Sequence, residues 1–297
     1  MKKYIFTALA AFLLTTAMQA QSFLTLNTST DPSALALAGT SVARDADAFA
    51  VQNNASAMGL YEGKLALSGS YGMFQPKYLK QASGSFAAMA KFGDKFAAGL
   101  FGNYFINQPY IEVSQVGAPD KEFTPKDLTA GLGFAYKVTD FLSVGLAGKF
   151  GSATLASDAS STAVCADLSV TYSQNGLNAA VSVNNLGPKA KVRQNQYDLP
   201  TMAKIGVSYS VAGFCGSFET DYLFAGSFSA ALGAEYTIVD IVSLRAGYHY
   251  GSGAYVLPSF ASVGLGLKYA GVELNAAYLL GSETLGGTMC FGLGYSF

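Results

Sequence analysis

The sequence predicts an all-β protein, a transmembrane antiparallel β-barrel of about fourteen strands, with a short, partly helical N-terminal segment at or in the lumen. Three observations predict it. Segments that alternate large apolar with small or polar residues recur along the chain. Half of the residues are hydrophobic (51%) and few are charged (12%), yet beyond Ala20 no apolar run approaches the ~20 residues of a membrane-spanning helix. Short turns and longer connections alternate between the segments, as they do on the two rims of a barrel.

The last segment shows the alternation best. Met289, Phe291, Leu293, Tyr295 and Phe297 are large and apolar; Thr288, Cys290, Gly292, Gly294 and Ser296 between them are small. A period of two sends these sets to opposite faces of a strand. A final strand stopping on an aromatic residue is the usual ending of a bacterial outer-membrane barrel. The expected location is therefore that membrane, crossed many times and surrounded by lipid and lipopolysaccharide.

At the other end, Lys2 and Lys3 precede an apolar stretch from Tyr4 to about Thr16, then Ala17-Met18-Gln19-Ala20. Residues 1–20 read as a secretory signal. No Cys follows the apolar run, which argues against a lipoprotein anchor. Residues 21–63 are Ala-rich and too polar to face lipid, so short helices are expected. They either hang in the periplasm or enter the barrel as a plug. Small residues on the inward faces, such as Gly131, Gly133, Gly145, Gly264 and Gly266, leave room for a plug and favour the second choice. The barrel takes residues 64–297.

Alternation places strands near 65–73, 83–92, 95–106, 128–137, 142–150, 163–173, 177–185, 201–211, 214–223, 228–238, 241–250, 259–269, 272–280 and 287–297. Tight turns are expected at Gly93-Asp94, Val138-Thr139-Asp140, Gln174-Asn175-Gly176, Ala212-Gly213, Val239-Asp240 and Ala270-Gly271. The longer connections, led by 107–126 and 186–200, follow the odd-numbered strands. With the first strand running outward, every long loop falls outside and every short turn falls in the periplasm.

Chemistry-bearing residues are sparse. A net charge of −1 gives no footprint for nucleic acid. Cys165, Cys215 and Cys290 are odd in number and far apart, so they read as small buried residues and not as a disulfide framework. His249 stands alone, without the spacing of a metal site. No Gly-x-Ser-x-Gly elbow or phosphate loop is present. A Ser/His/Asp site on His249, with Ser229 or Ser262 from flanking strands, is the one route to a hydrolase. No enzyme and no cofactor are expected.

The inward faces carry Lys91, Lys137, Lys149, Asp167, Lys204, Glu219, Asp221, Glu235, Arg245, Lys268 and Glu273. Ionisable groups at membrane depth are costly unless paired or wet. Pairing with one another, or with Arg44, Asp45 and Asp47 of the N-terminal segment, is expected ahead of a selective conduit. Outside, Pro188 to Arg193 is a basic stretch. The loop bearing Tyr110, Ile111, Val113 and Phe123 exposes more apolar side chains than solubility needs, which makes it a candidate partner surface.

Three stretches carry a family resemblance: Phe23-Leu24-Thr25-Leu26, Ser33 to Gly39 and Gln52-Asn53-Asn54-Ala55. With Leu244-Arg245-Ala246-Gly247-Tyr248 and the final strand, they resemble the PorV/PorQ family of outer-membrane proteins, related in architecture to FadL-type transporters. That resemblance implies a fourteen-stranded barrel with an N-terminal segment at or inside the lumen. It also implies a role like that of members in the type IX secretion system of the Bacteroidetes, engaging secreted or surface proteins. Two alternatives stand beside it. One is FadL-like passive transport of hydrophobic small molecules; the other is a plugged structural barrel within a larger outer-membrane complex.

Overall fold

A computed structural model describes residues 23–74, 80–112, 121–253 and 256–297. The expected signal, residues 1–20, lies outside them, as does Val113. Fourteen strands form one closed barrel: β1 Leu65–Phe74, β2 Gln81–Phe92, β3 Phe96–Ile106, β4 Lys126–Thr139, β5 Leu142–Ala156, β6 Ala159–Gln174, β7 Leu177–Leu186, β8 Met202–Val211, β9 Phe214–Leu223, β10 Ser227–Ile238, β11 Val242–Ser252, β12 Phe260–Tyr269, β13 Val272–Leu280 and β14 Met289–Ser296. Each strand pairs antiparallel with its sequence neighbours. The seam joins β1 to β14, with Ala66 opposite Ser296 and Met73 opposite Met289. An all-antiparallel ring needs an even strand count, because only then do first and last strands run in opposite directions.

Closure follows from the alternating residues. In β10, Phe228 and Leu232 face outward while Ser229 and Ala231 are buried toward the lumen. Exposed Leu67, Leu132, Leu146, Leu168, Ile205, Leu244 and Leu293 continue the outer apolar face around the barrel. At the rim of tight turns, Phe92, Phe96, Tyr136, Tyr209, Tyr236, Tyr269 and Tyr295 form an exposed aromatic ring, the side-chain type that settles at a membrane interface. No helix among the described residues is long and apolar enough to cross a membrane. Phe297 closes the rim: its carbonyl accepts from the Lys64 and Leu65 amides at 2.6 and 3.1 Å, and its own amide donates to the Leu65 carbonyl at 3.0 Å.

Two outer connections differ from the expectation. The stretch 151–162 is strand, not loop, and β5 turns into β6 over Ser157 and Asp158 alone. Its Ser, Thr and Ala residues imitate a loop in composition, but inward Ala153, Ser161 and Ala163 are buried in alternation with exposed neighbours. The β9–β10 connection, Phe224 to Gly226, is also tight. The two long connections carry small hairpins, Tyr110–Glu112 with Lys121–Phe123 and Ala190–Val192 with Asn195–Tyr197.

Both hairpins tie to the β5–β6 tip. The Ser157 amide donates to Glu112 (3.1 Å), the Tyr110 hydroxyl donates to the Leu155 carbonyl (3.0 Å), and Arg193 donates to Asp158 (2.5 Å). The Arg193 hydrogen bond holds the Asp158 carboxyl below its ordinary range.

Candidate functional site: the plug and its chamber

Residues 23–63 occupy the lumen. The segment starts under the outer hairpins, where Phe23 and Leu26 pack against Ala153, Ala163, Ala190 and Leu199. It leaves at the opposite rim, where Lys64 meets Phe297. Local chemistry sets its short helices. Asp31 caps Pro32–Ala36 by accepting from the Ser33 amide at 2.9 Å, with Pro32 in the first turn, where its missing N–H costs nothing. Left-handed Ala38 and Gly39 end that turn. Asn54 caps the 3-10 turn Ala55–Leu60 by accepting from the Ser56 amide.

The plug fits because small residues on both surfaces leave room for a few large buried side chains. Leu35, Ala36 and Ala38 pack on Phe105, Ala231, Phe260, Ala277 and Cys290. Val51, Ala55 and Met58 pack on Ala87, Met89, Phe101, Ala135 and Ala147. At two points only glycine allows the approach. A Cβ on Gly145 would collide with the Ser56 backbone, and one on Gly247 would lie 2.6 Å from the Leu37 carbonyl carbon.

Polar contacts fix the register of plug on wall. Ser262 accepts from the Ala38 amide and donates to the Ala36 carbonyl, both at 2.9 Å. Asn54 and Ser56 both reach Thr171 at 2.7 Å. Ser208 donates to the Ala43 carbonyl (2.6 Å). At the seam, the Thr30 carbonyl accepts from Ser70 of β1 at 2.6 Å and from the Cys290 thiol of β14 at 3.7 Å. Glu219 makes the strongest link: one carboxylate oxygen accepts from the Ser41 and Val42 amides at 2.6 and 2.7 Å, and the other from Lys204 at 3.0 Å. Charge-assisted bonds in a buried site exceed neutral ones in strength.

The eleven wall charges sort into four groups. Lys149 pairs with Asp167 at 2.5 Å, and Asp167 also accepts from the Asn184 side chain and the Asn185 amide. Asn184 and Asn185 together oppose Asp167 in a bulge between β6 and β7, with Asn185 left-handed at φ 59°. Lys204 bridges Glu219 and, at 3.4 Å, Asp221. Arg245 pairs with Glu235 and donates to Asn275, which in turn donates to Glu273 at 2.8 Å. The rest lie at the tight-turn end: Lys91 donates to the Tyr61 carbonyl, Lys137 pairs with Asp140, and Lys268 is exposed with no ion pair among the described residues.

The plug charges stay mostly within the plug. Arg44 pairs with Asp31 at 3.4 Å, and Asp47 accepts from the Phe49 amide; Asp45 reaches the wall through Asn178. Charge pattern in the sequence pointed to ion pairs here. It gave no sign of the uncharged docking residues Asn54, Ser56, Thr171, Asn185 and Ser262, whose types are common on any polar face.

Other expected sites are placed as follows. The His249 ring stacks on Phe260 (4.9 Å between centroids), while Ser262 is bound to the plug. No Ser–His hydrogen bond joins them among the described residues, so the hydrolase geometry is not assembled. The three cysteines are free thiols. Tyr110 and Ile111 are exposed on the outer hairpin, and Phe123 is half-buried edge-on against Tyr110.

Two kinds of space remain around the plug. Toward the outside, a chamber of about 80 Å³ is lined by apolar Leu26, Leu35, Met202 and Phe260 on one side and polar Gln52, Lys204, Asp221 and His249 on the other. Toward the tight-turn rim, a charged vestibule of about 620 Å³ lies against Arg44, Asp47, Glu235, Arg245 and Lys268. An apolar cavity of about 150 Å³ admits benzene, so the outer chamber is too small for an aromatic ring while the vestibule is not. On the lipid side, the wall is hollowed over Phe134, Leu146, Leu168, Val181 and Ile205.

No family model matches the sequence, and no curated protein matches it. Solved structures do. The CymD monoaromatic hydrocarbon channel aligns at 13% identity and a TM-score of 0.66, over 91% of this chain and 98% of that one. The Ralstonia pickettii toluene transporter TbuX gives the same 13%, 0.66, 91% and 98%. A Pseudomonas aeruginosa FadL homologue aligns at 13% and 0.57, over 94% and 97%. At this identity the likeness is one of fold.

These matches overturn the PorV/PorQ assignment. The three stretches that carried it are plug-docking chemistry: Phe23 and Leu26 packed on Ala153 and Ala163, an Ala-rich turn packed on Ala231, Phe260 and Ala277, and an asparagine cap bound to Thr171. They report how a plug seats in a barrel and not which cargo it serves. The closed fourteen-stranded ring, its apolar outer face and these neighbours make the chain a multi-pass β-barrel of the bacterial outer membrane.

Proposed function

We propose that this barrel passes hydrophobic small molecules passively across the outer membrane, in the manner of a FadL-like channel. One observation carries the reading: the lumen is filled by a docked N-terminal segment, in a fold shared with channels named for toluene and monoaromatic hydrocarbons. A filled lumen offers no continuous water column, which suits solutes that shed water readily and excludes hydrated ones. Most of the buried wall charges are paired with the opposite sign, so they supply no ion-selective ring. The outer chamber offers apolar Leu26, Leu35, Met202 and Phe260, but its volume demands that the plug or an outer hairpin shift before a ring can pass. Proteoliposomes test this. With a lipopolysaccharide outer leaflet, which slows apolar solutes as plain phospholipid does not, toluene uptake should rise well above that of protein-free vesicles, while a sugar of similar size should show no gain. Equal toluene uptake with and without protein would sink the proposal.

A further inference from the structure

The two longest strands of the ring outrun its apolar band. β5 and β6 hold 15 and 16 residues. Their lipid-facing apolar residues end at Phe150 and Val164, which lie opposite each other. Beyond that pair the same face carries Ser152 opposite Thr162 and Thr154 opposite Ser160. Thr154 stands about 13 Å along the strand past Phe150 at ~3.4 Å per residue, or roughly 10 Å along the membrane normal at a ~40° tilt. That depth is the headgroup layer of the outer leaflet. Elsewhere the outward face stays aromatic near its outer end, with Tyr71, Tyr104, Phe228 and Tyr250 exposed. None of the four hydroxyls has a hydrogen-bond partner among the described residues.

Cations flank these hydroxyls. On one side Lys126 of β4 is exposed opposite Thr154. On the other, the hairpin strand Ala190–Val192 runs against β6. Ala190 is buried toward Phe23, so Lys189 and Lys191 beside it face away from the plug. The neighbouring carboxylates are engaged or turned away. Asp198 pairs with Lys189, Asp158 pairs with Arg193, and Glu112 receives the Ser157 amide. Asp127 lies opposite buried Phe105 on the luminal face, and adjacent Lys121 and Glu122 cancel in charge. Lys126 and Lys191 are left without an ion pair among the described residues.

We propose that this patch binds the phosphates of one lipopolysaccharide molecule, whose acyl chains lie on Phe150, Val164 and Leu128 below. The chemistry selects the occupant. Lysine and hydroxyl groups donate, and phosphate oxygens accept and carry the opposite charge. The two lysines stand about three strand spacings apart, ~14 Å, within reach of a sugar headgroup phosphorylated at both ends. A zwitterionic headgroup would set its own cation against them. The patch lies on the outer wall, away from the lumen, so it does not depend on the transport reading.

The test titrates the full-length protein in detergent with bisphosphorylated lipid A, read by native mass spectrometry. Replacing both lysines, Lys126→Gln with Lys191→Gln, should weaken binding about thirtyfold, at roughly fivefold per cation beside an anionic lipid surface. Ser160→Ala with Thr162→Ala should weaken it by a smaller factor, and it serves as the second probe should the lysine pair fail to fold. Lys95→Gln, an exposed cation at the opposite rim, should leave binding unchanged. Lipid A stripped of its phosphates should bind at least tenfold more weakly to the unaltered protein. Unchanged binding in both double variants, equal binding of the phosphate-free lipid, or equal retention of phosphatidylglycerol would each overturn the proposal. The last outcome would mean that the patch attracts any anionic lipid.

Discussion

The two faces of the barrel wall obey opposite rules. The lipid face is fixed in polarity and loose in shape: Leu132, Leu232 and Ile205 need only be apolar to be solvated by acyl chains. The luminal face is loose in polarity and fixed in volume. Serines, glycines, alanines and paired charges share it, but Gly145 and Gly247 touch plug backbone and cannot grow. Lipid is a fluid that reshapes around a side chain, whereas a docked peptide is a solid. The comparison explains why the wall reads clearly in sequence on one face only.

Removing the solid breaks the comparison most. With residues 23–60 deleted, the luminal face meets water, and planar bilayers should pass from near silence to steady conductance; continued silence would mean that the hairpins, not the plug, seal the pore. Next comes a violation of polarity outside. Leu232, mid-strand in β10 and 58% exposed, replaced by Arg should cost about 2–4 kcal/mol in urea titrations of the vesicle-inserted barrel. Glu219→Gln probes the plug's strongest tie. Losing the carboxylate that receives Ser41, Val42 and Lys204 should cost about 1.5–3 kcal/mol, read as faster thiol labelling of a cysteine placed at Ser41. Gly145→Val, a violation of volume inside, should cost about 1–3 kcal/mol. Two methyl groups added on the lipid face, in Ala234→Val, should change stability by less than ~0.5 kcal/mol.

Strand periodicity is why the barrel was legible. Alternation is imposed by lipid on every strand, so it survives in β5 and β6 even where Ser and Thr composition imitates a loop. The parity that assigns each charged strand residue to the inner face was legible too. What each would pair with was not, because neighbours such as Lys204 and Glu219 are joined by strand register, which sequence leaves open. The plug's docking residues were hidden for a different reason. Asn54 and Ser262 act through hydrogen bonds to backbone, and Ser56 through hydroxyl contacts with Asn54 and Thr171, and nothing in residue type marks such a role. The family resemblance failed at this point, taking shared plug chemistry for shared cargo.

The Thr30 carbonyl, which accepts from both Ser70 and Cys290, gives the plug a second duty. Every other join in the ring links strands made one after the other, whereas the join of β1 to β14 must be found across the whole chain. A segment that grips both partners from inside acts as a splint across that join. A barrel stripped of its splint would open there first, presenting two unpaired edges to neighbouring chains. Its failure would then be seen as paired or polymerised barrels rather than as unfolded monomers.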